Sequence, residues 1–158
     1  MNLSFVETMR GTMRGERGLQ FPVSFELRAI HERGGRFEAR GLIEAPPLAH
    51  EAPAHGTLDL GLRALVYHLV FSDAEGRRLT LDAVKRPTLR APLRSMTKMP
   101  ATIRDDAGVL VASGEMLFAT RDLPRFLVSW IPVQSLAHRQ LDARRRQIER
   151  LALSEGVR

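Results

Sequence analysis

The sequence predicts a mainly β domain: an antiparallel meander of about eight or nine strands, closed as a calycin- or lipocalin-like barrel and followed by one short and one long C-terminal helix. Three observations lead there. Residues 1–120 alternate apolar and polar positions in runs of strand length. Glycine-bearing turns of hairpin length separate many of these runs, so neighbouring strands are antiparallel. Beyond residue 120 the apolar spacing changes from two to three and four, the period of an amphipathic helix. A meander of this many strands leaves two exposed edges, and closure into a barrel removes them. A two-layer sandwich is the alternative architecture.

The first strand is "LSFVETMRG", with Phe5, Glu7 and Met9 on one face. Gly11, Gly15 and Gly18 then read as a flexible connection. "FPVSFELRAI" sets Val23, Phe25, Leu27 and Ala29 against Ser24, Glu26 and Arg28, the pattern of a half-buried strand. Gly34-Gly35 supplies a two-residue turn into "RFEARGLIEA". "PPLAHEAPAH" reads as a loop, because Pro46, Pro47 and Pro53 remove backbone donors. "GTLDLGLRALVYHLVFSD" resumes extended structure, bending near Gly61. A turn at Asp73–Gly76 leads to "RRLTLDAVKR". A looser stretch holding Pro87 and Pro92 precedes "SMTKMPATIRD", and the turn Asp106-Ala107-Gly108 precedes "VLVASGEMLFAT".

Asp122 reads as an N-cap with Pro124 in the first turn, so a short helix is expected over 121–131 with Phe126, Leu127 and Trp130 on its apolar face. A longer amphipathic helix is expected over 133–154, burying Leu136, Leu141, Ile148 and Leu151 on or beside the barrel. The arm "LVYHLVF" is apolar on both faces. A barrel strand covered outside by a helix has that character.

The chain is one domain of 158 residues without cysteine, which excludes disulfides, zinc-thiolate sites and thiol nucleophiles. The N-terminal stretch has no apolar core of a secretory signal, and no apolar run reaches the roughly 18 residues of a membrane-spanning helix, so a soluble cytoplasmic protein is expected. The net charge of +6 favours acidic partners in general. With aromatics at 6%, however, the chain lacks the stacking platform of a single-strand nucleic-acid binder. His50, Glu51 and His55 do not form H-E-x-x-H, so no metal site is expected there. There is neither a G-x-G-x-x-G nor a G-x-S-x-G, and no cofactor is expected.

Polar residues on apolar rows are the informative anomalies, because a buried charge needs a partner. Glu7 interrupts the Phe5–Met9 row, Lys85 continues the Leu79-Leu81-Ala83 row, and Glu115 continues the Val109-Val111-Ser113 row. If these rows face inward, the three form an internal charged cluster beside an apolar pocket lined by Tyr67, Phe71 and Met116, with His68 set among Val66 and Val70. Glu7 and Glu115 are then candidate catalytic carboxylates, and Glu7, Lys85 and Glu115 candidate anchors for a ligand's polar end.

"YHLVFSDAEGRRLTLDAVKRP" and "GVLVASGEMLFATRDLPRFLVS", together with "LSFVETMRG", resemble the accessory, non-flavin module associated with bacterial sterol-oxidase-like flavoproteins of the glucose-methanol-choline class. The resemblance covers roughly residues 3–130 and departs from that pattern at "TLRAPLRSMTKMPATI", which has no Trp. It implies an apolar, lipid- or steroid-like ligand and an oxidoreductase partner, without the redox reaction itself. The expected function is therefore binding of a small apolar ligand. The alternatives are a cofactor-free isomerase, cyclase or lyase working through a buried carboxylate, and a protein-docking module using the C-terminal helix.

Overall fold

The computed structural model describes residues 4–61, 64–86 and 98–118. They form eight strands: β1 (Ser4–Gly15), β2 (Gln20–Arg33), β3 (Arg36–Ala45), β4 (Ala49–Leu60), β5 (Leu65–Ser72), β6 (Arg78–Lys85), β7 (Lys98–Asp105) and β8 (Leu110–Phe118). Each strand pairs antiparallel with the next, and β8 returns to pair with β1, closing the barrel. The expected helices at 121–131 and 133–154 lie outside the described residues.

Period-two alternation sends one row of each strand inward. Met9 and Met13 of β1, Phe25 and Leu27 of β2, Phe37 of β3 and Leu58 of β4 are buried. So are Tyr67, Leu69 and Phe71 of β5, Leu79 and Leu81 of β6, Met99 and Ile103 of β7, and Met116 of β8. Side chains from non-neighbouring strands meet across the lumen, as Phe25 of β2 and Tyr67 of β5 show with ring centroids 6.0 Å apart. Side chains therefore fill the lumen at this level, one of the two states open to an eight-stranded barrel.

Curvature at the closing seam depends on glycine. A Cβ on Gly11 would lie 2.1 Å from the Glu115 carbonyl oxygen, and one on Gly114 would lie 2.1 Å from that of Thr12. Each of these glycines faces a methionine in the register, Gly11 opposite Met116 and Met13 opposite Gly114. Large and small residues thus interlock across β1 and β8. The connection expected from Gly11 onward is instead strand up to Gly15, with the turn confined to Glu16–Gly18.

"PPLAHEAPAH" is also corrected. Its turn is confined to residues 46–48, and β4 starts at Ala49. Strand prolines occupy stretches that pair on one side. Pro53 pairs with Leu42 of β3, whereas β5 joins β4 from His55. Pro22 pairs with Thr12, whereas β3 joins β2 from Ser24. Pro100 pairs with Glu115, whereas the β6 ladder reaches Ala101. A missing N–H is tolerated where one neighbour is absent, and this local rule outweighed the proline count. Near Gly61, the expected bend is a break between two strands, closed by a 2.8 Å hydrogen bond from Gly61 N to the Ala64 carbonyl.

The turns of two hairpins are built alike. Asp73 and Asp105 each accept two backbone N–H groups through Oδ1, from Glu75 and Arg77 in one turn and from Ala107 and Val109 in the other. Gly76 and Gly108 follow at positive φ. The Asp side chain mimics a backbone turn and glycine takes the left-handed position.

Candidate functional site

Glu7 lies on the inward row of β1, two residues before Met9, and is 2% exposed. In an eight-membered ring, β5 stands opposite β1. The Tyr67 hydroxyl of β5 crosses the lumen to the Glu7 carboxyl, 2.6 Å from Oε1 and 2.8 Å from Oε2. Lys85 ends the inward row of β6 and has no accessible surface, and its charge acts on Glu7. The barrel thus brings three polar groups from β1, β5 and β6 into an apolar interior.

Burial sets their protonation. It pushes the Glu7 carboxyl up to about 7, against the opposing pull of the Tyr67 hydrogen bond and the Lys85 charge. Burial raises the Tyr67 hydroxyl well above its ordinary value, and Glu7 adds to the rise. Burial lowers Lys85, and Glu7 partly offsets this. A carboxyl poised near neutrality can hold or release a proton, and the neighbouring hydroxyl and amine can exchange one with it.

The other sequence candidates separate. Phe71 and Met116 are buried in the interior, and Met116 stands beside Met99 in the register. Phe71 lies on the Tyr67 row but four residues along β5, about 13 Å at the usual strand rise. His68 and Glu115 do not join the cluster. His68 faces outward, its side chain 54% exposed, and its Nδ1 lies 2.7 Å from Asp82 Oδ1. Glu115 is outside as well, 60% exposed and 3.9 Å from Lys98 Nζ. The inward row of β8 is Ala112, Gly114 and Met116, whose small residues make room for Met13 across the seam. Larger residues on the other row, Val109, Val111 and Leu117, made the outer face read as the inner one.

Sequence reasoning also passed over the methionine wall. Met9, Met13, Met99 and Met116 come from β1, β7 and β8, and all are fully buried. Alternating glycine and methionine in β1 and β8 was the available signal.

Near Lys85 the β6–β7 ladder ends. Pairing runs from Leu79–Asp105 to Ala83–Ala101, and the same register extended would set Lys85 opposite Met99. On the outer side, Val84, Arg86, Lys98 and Pro100 line a depression of about 420 Å³. A larger depression, about 630 Å³, follows the β1–β8 seam past Thr12, Arg14, Ser113 and Glu115, on the outer face and away from the cluster.

His50 bonds Glu44, 2.7 Å from Nδ1 to Oε1, while His55 pairs with Arg40 across the ladder. Among the described residues, no group of three His, Cys, Asp or Glu side chains is placed to hold a metal ion. No helix among them is long and apolar enough to cross a membrane. No family model matches the chain, and no curated protein or solved structure shows significant similarity to it.

Proposed function

We propose that the barrel binds one small apolar, lipid- or steroid-like molecule, whose polar end is held by Glu7, Tyr67 and Lys85. The observation that carries this reading is the cluster itself: a carboxyl, a phenol and an amine buried together among apolar side chains. Packing alone gives little reason for it, because apolar residues of similar volume usually serve a core as well as or better than buried ionisable groups. A ligand hydroxyl or carbonyl would find both a donor and an acceptor here.

Accommodation falls to the methionine wall. Unbranched thioether side chains repack at low cost, and adaptable binding surfaces use them for that reason. A ligand would displace Met99 and Met116 and occupy the volume they leave. An oxidoreductase partner that supplies or receives such a molecule is part of the same proposal.

The test is native mass spectrometry and thermal shift of the full chain with 1-decanol and with cholesterol. A stoichiometric complex that weakens on Glu7→Gln and Tyr67→Phe supports the reading. Absence of any complex with either probe defeats it.

A second reading has its own observation, a Glu7 carboxyl at about 7. In that reading Glu7 is the general acid or base of an isomerase, cyclase or lyase acting on the same class of molecule. Glu7→Gln would then abolish turnover while leaving ligand bound.

A further inference from the structure

We propose that Lys85 is a covalent capture point for apolar aldehydes and ketones, its amine forming an imine with the carbonyl carbon inside the barrel. This rests on the ligand-binding reading above and narrows its ligand class to carbonyl compounds.

Three observations converge on Lys85. Of the 24 basic residues in the chain, Lys85 and Lys98 alone are lysines. A guanidinium does not form imines under these conditions, so the chain holds two side-chain amines able to do so, and one of them is fully buried. Second, Lys85 shares the interior with the hydrogen-bonded Glu7 and Tyr67, a proton donor and acceptor, and its charge acts on Glu7. Third, Lys85 lies just past the last described β6–β7 pair, Ala83–Ala101, and its chain neighbours Val84 and Arg86 line, with Lys98 and Pro100, the depression on the outer face. Among the described residues the β6–β7 backbone pairs end here at Ala83–Ala101, and the same register extended would set Met99 opposite Lys85.

The chemistry balances with these groups alone. The Lys85 amine, in its neutral form, attacks the carbonyl carbon, and the oxygen takes up a proton to give a carbinolamine. The Glu7 carboxyl protonates that hydroxyl, water leaves, and nitrogen forms the double bond. The products are a protonated imine on Lys85, a Glu7 carboxylate as its counter-ion, and one water. No oxidant or reductant enters. Burial favours the neutral amine that the first step needs.

The experiment incubates the full-length folded protein with decanal and sodium cyanoborohydride, which reduces an imine to a stable amine. Peptide mass spectrometry then compares Lys85 with Lys98, an exposed control in the same chain. The expected result is enrichment on Lys85 over Lys98 of about tenfold or more, the scale that prior binding beside a nucleophile readily supplies. That enrichment should be lost in urea. Lys85→Met should abolish the Lys85 adduct and leave that on Lys98 unchanged. If Lys85→Met does not fold, the native-to-urea comparison in the parent chain still decides. Equal labelling of the two lysines in the folded protein overturns the proposal. Binding of 1-decanol without decanal trapping on Lys85 overturns imine capture and leaves the binding reading standing. Failure of both probes removes the two together.

Discussion

The Tyr67 hydroxyl donates to the Glu7 carboxyl across the full width of the barrel, at 2.6 Å, joining residues sixty apart in sequence. One contact thus ties β1 to the opposite wall and fixes where the Glu7 carboxyl sits in the lumen. A ligand at the proposed site would have to share or replace this hydrogen bond.

Removing the donor should be costly. Tyr67→Phe leaves the Glu7 carboxyl buried without its hydroxyl partner, a loss of about 1–3 kcal/mol by chemical denaturation. Glu7→Gln keeps a polar partner for Tyr67 and should cost less. A double-mutant cycle with Glu7→Leu is expected to show coupling between the two positions, and additive effects would contradict the contact.

Stability should fall as pH rises through neutrality. The folded-state Glu7 pKa is raised to about 7 from 4.5, so the folded protein holds this proton more tightly than the unfolded chain. The stabilisation is complete below 4.5 and is lost as pH climbs through 7, an effect on the order of 3 kcal/mol. Lys85 has the opposite sign at higher pH: its depressed folded pKa costs stability until the unfolded chain also loses that proton, near 10.5. Urea unfolding at about pH 5 and about pH 8 should show the decline in the parent protein and a smaller one in Glu7→Gln.

The two Asp-led turns are expected to differ in strength. Asp73 is buried and bonds the Arg77 side chain at 2.7 Å besides its two backbone donors, whereas Asp105 is less buried. Asp73→Ala should cost about 2 kcal/mol and Asp105→Ala about half that, since buried charge-assisted bonds weigh more than exposed ones. Thermal melts of the two variants check the order.

Closure depends on the glycines of the seam. Gly114→Ala would place a methyl group 2.1 Å from the Thr12 carbonyl oxygen, with backbone on both sides and no flexible neighbour to yield. A loss of several kcal/mol, or failure to fold, is expected. Gly76→Ala meets open space and carries only the strain of its positive φ, about 1 kcal/mol.

Much of the barrel was readable in the sequence. Period-two rows and Asp/Gly turns located most of the strands, and burying one row per strand required a closed or layered sheet. The same logic singled out Glu7 and Lys85, because each interrupts or ends an apolar row, and set Tyr67 on the apolar row of its strand; all three rows face inward. It failed at β8. There the inward row is small, Ala112 and Gly114, and the outward row carries Val111 and Leu117, so hydrophobicity pointed the wrong way and took Glu115 with it. Size complementarity with Met13 decided that row, and complementarity belongs to a pair of strands rather than to one. Likewise Pro53 read as a strand breaker, since a single sequence does not reveal which stretches pair on one side.

The Glu7 carboxyl can be observed directly. Selective ¹³C labelling of glutamate side chains, with Glu7→Gln to assign the resonance, gives its titration midpoint by NMR. A midpoint of about 7, shifting on Tyr67→Phe, is the result expected of a carboxyl enclosed with Tyr67 and Lys85. A midpoint near the ordinary 4.5, indifferent to Tyr67, would place Glu7 in water and leave the barrel without its interior site.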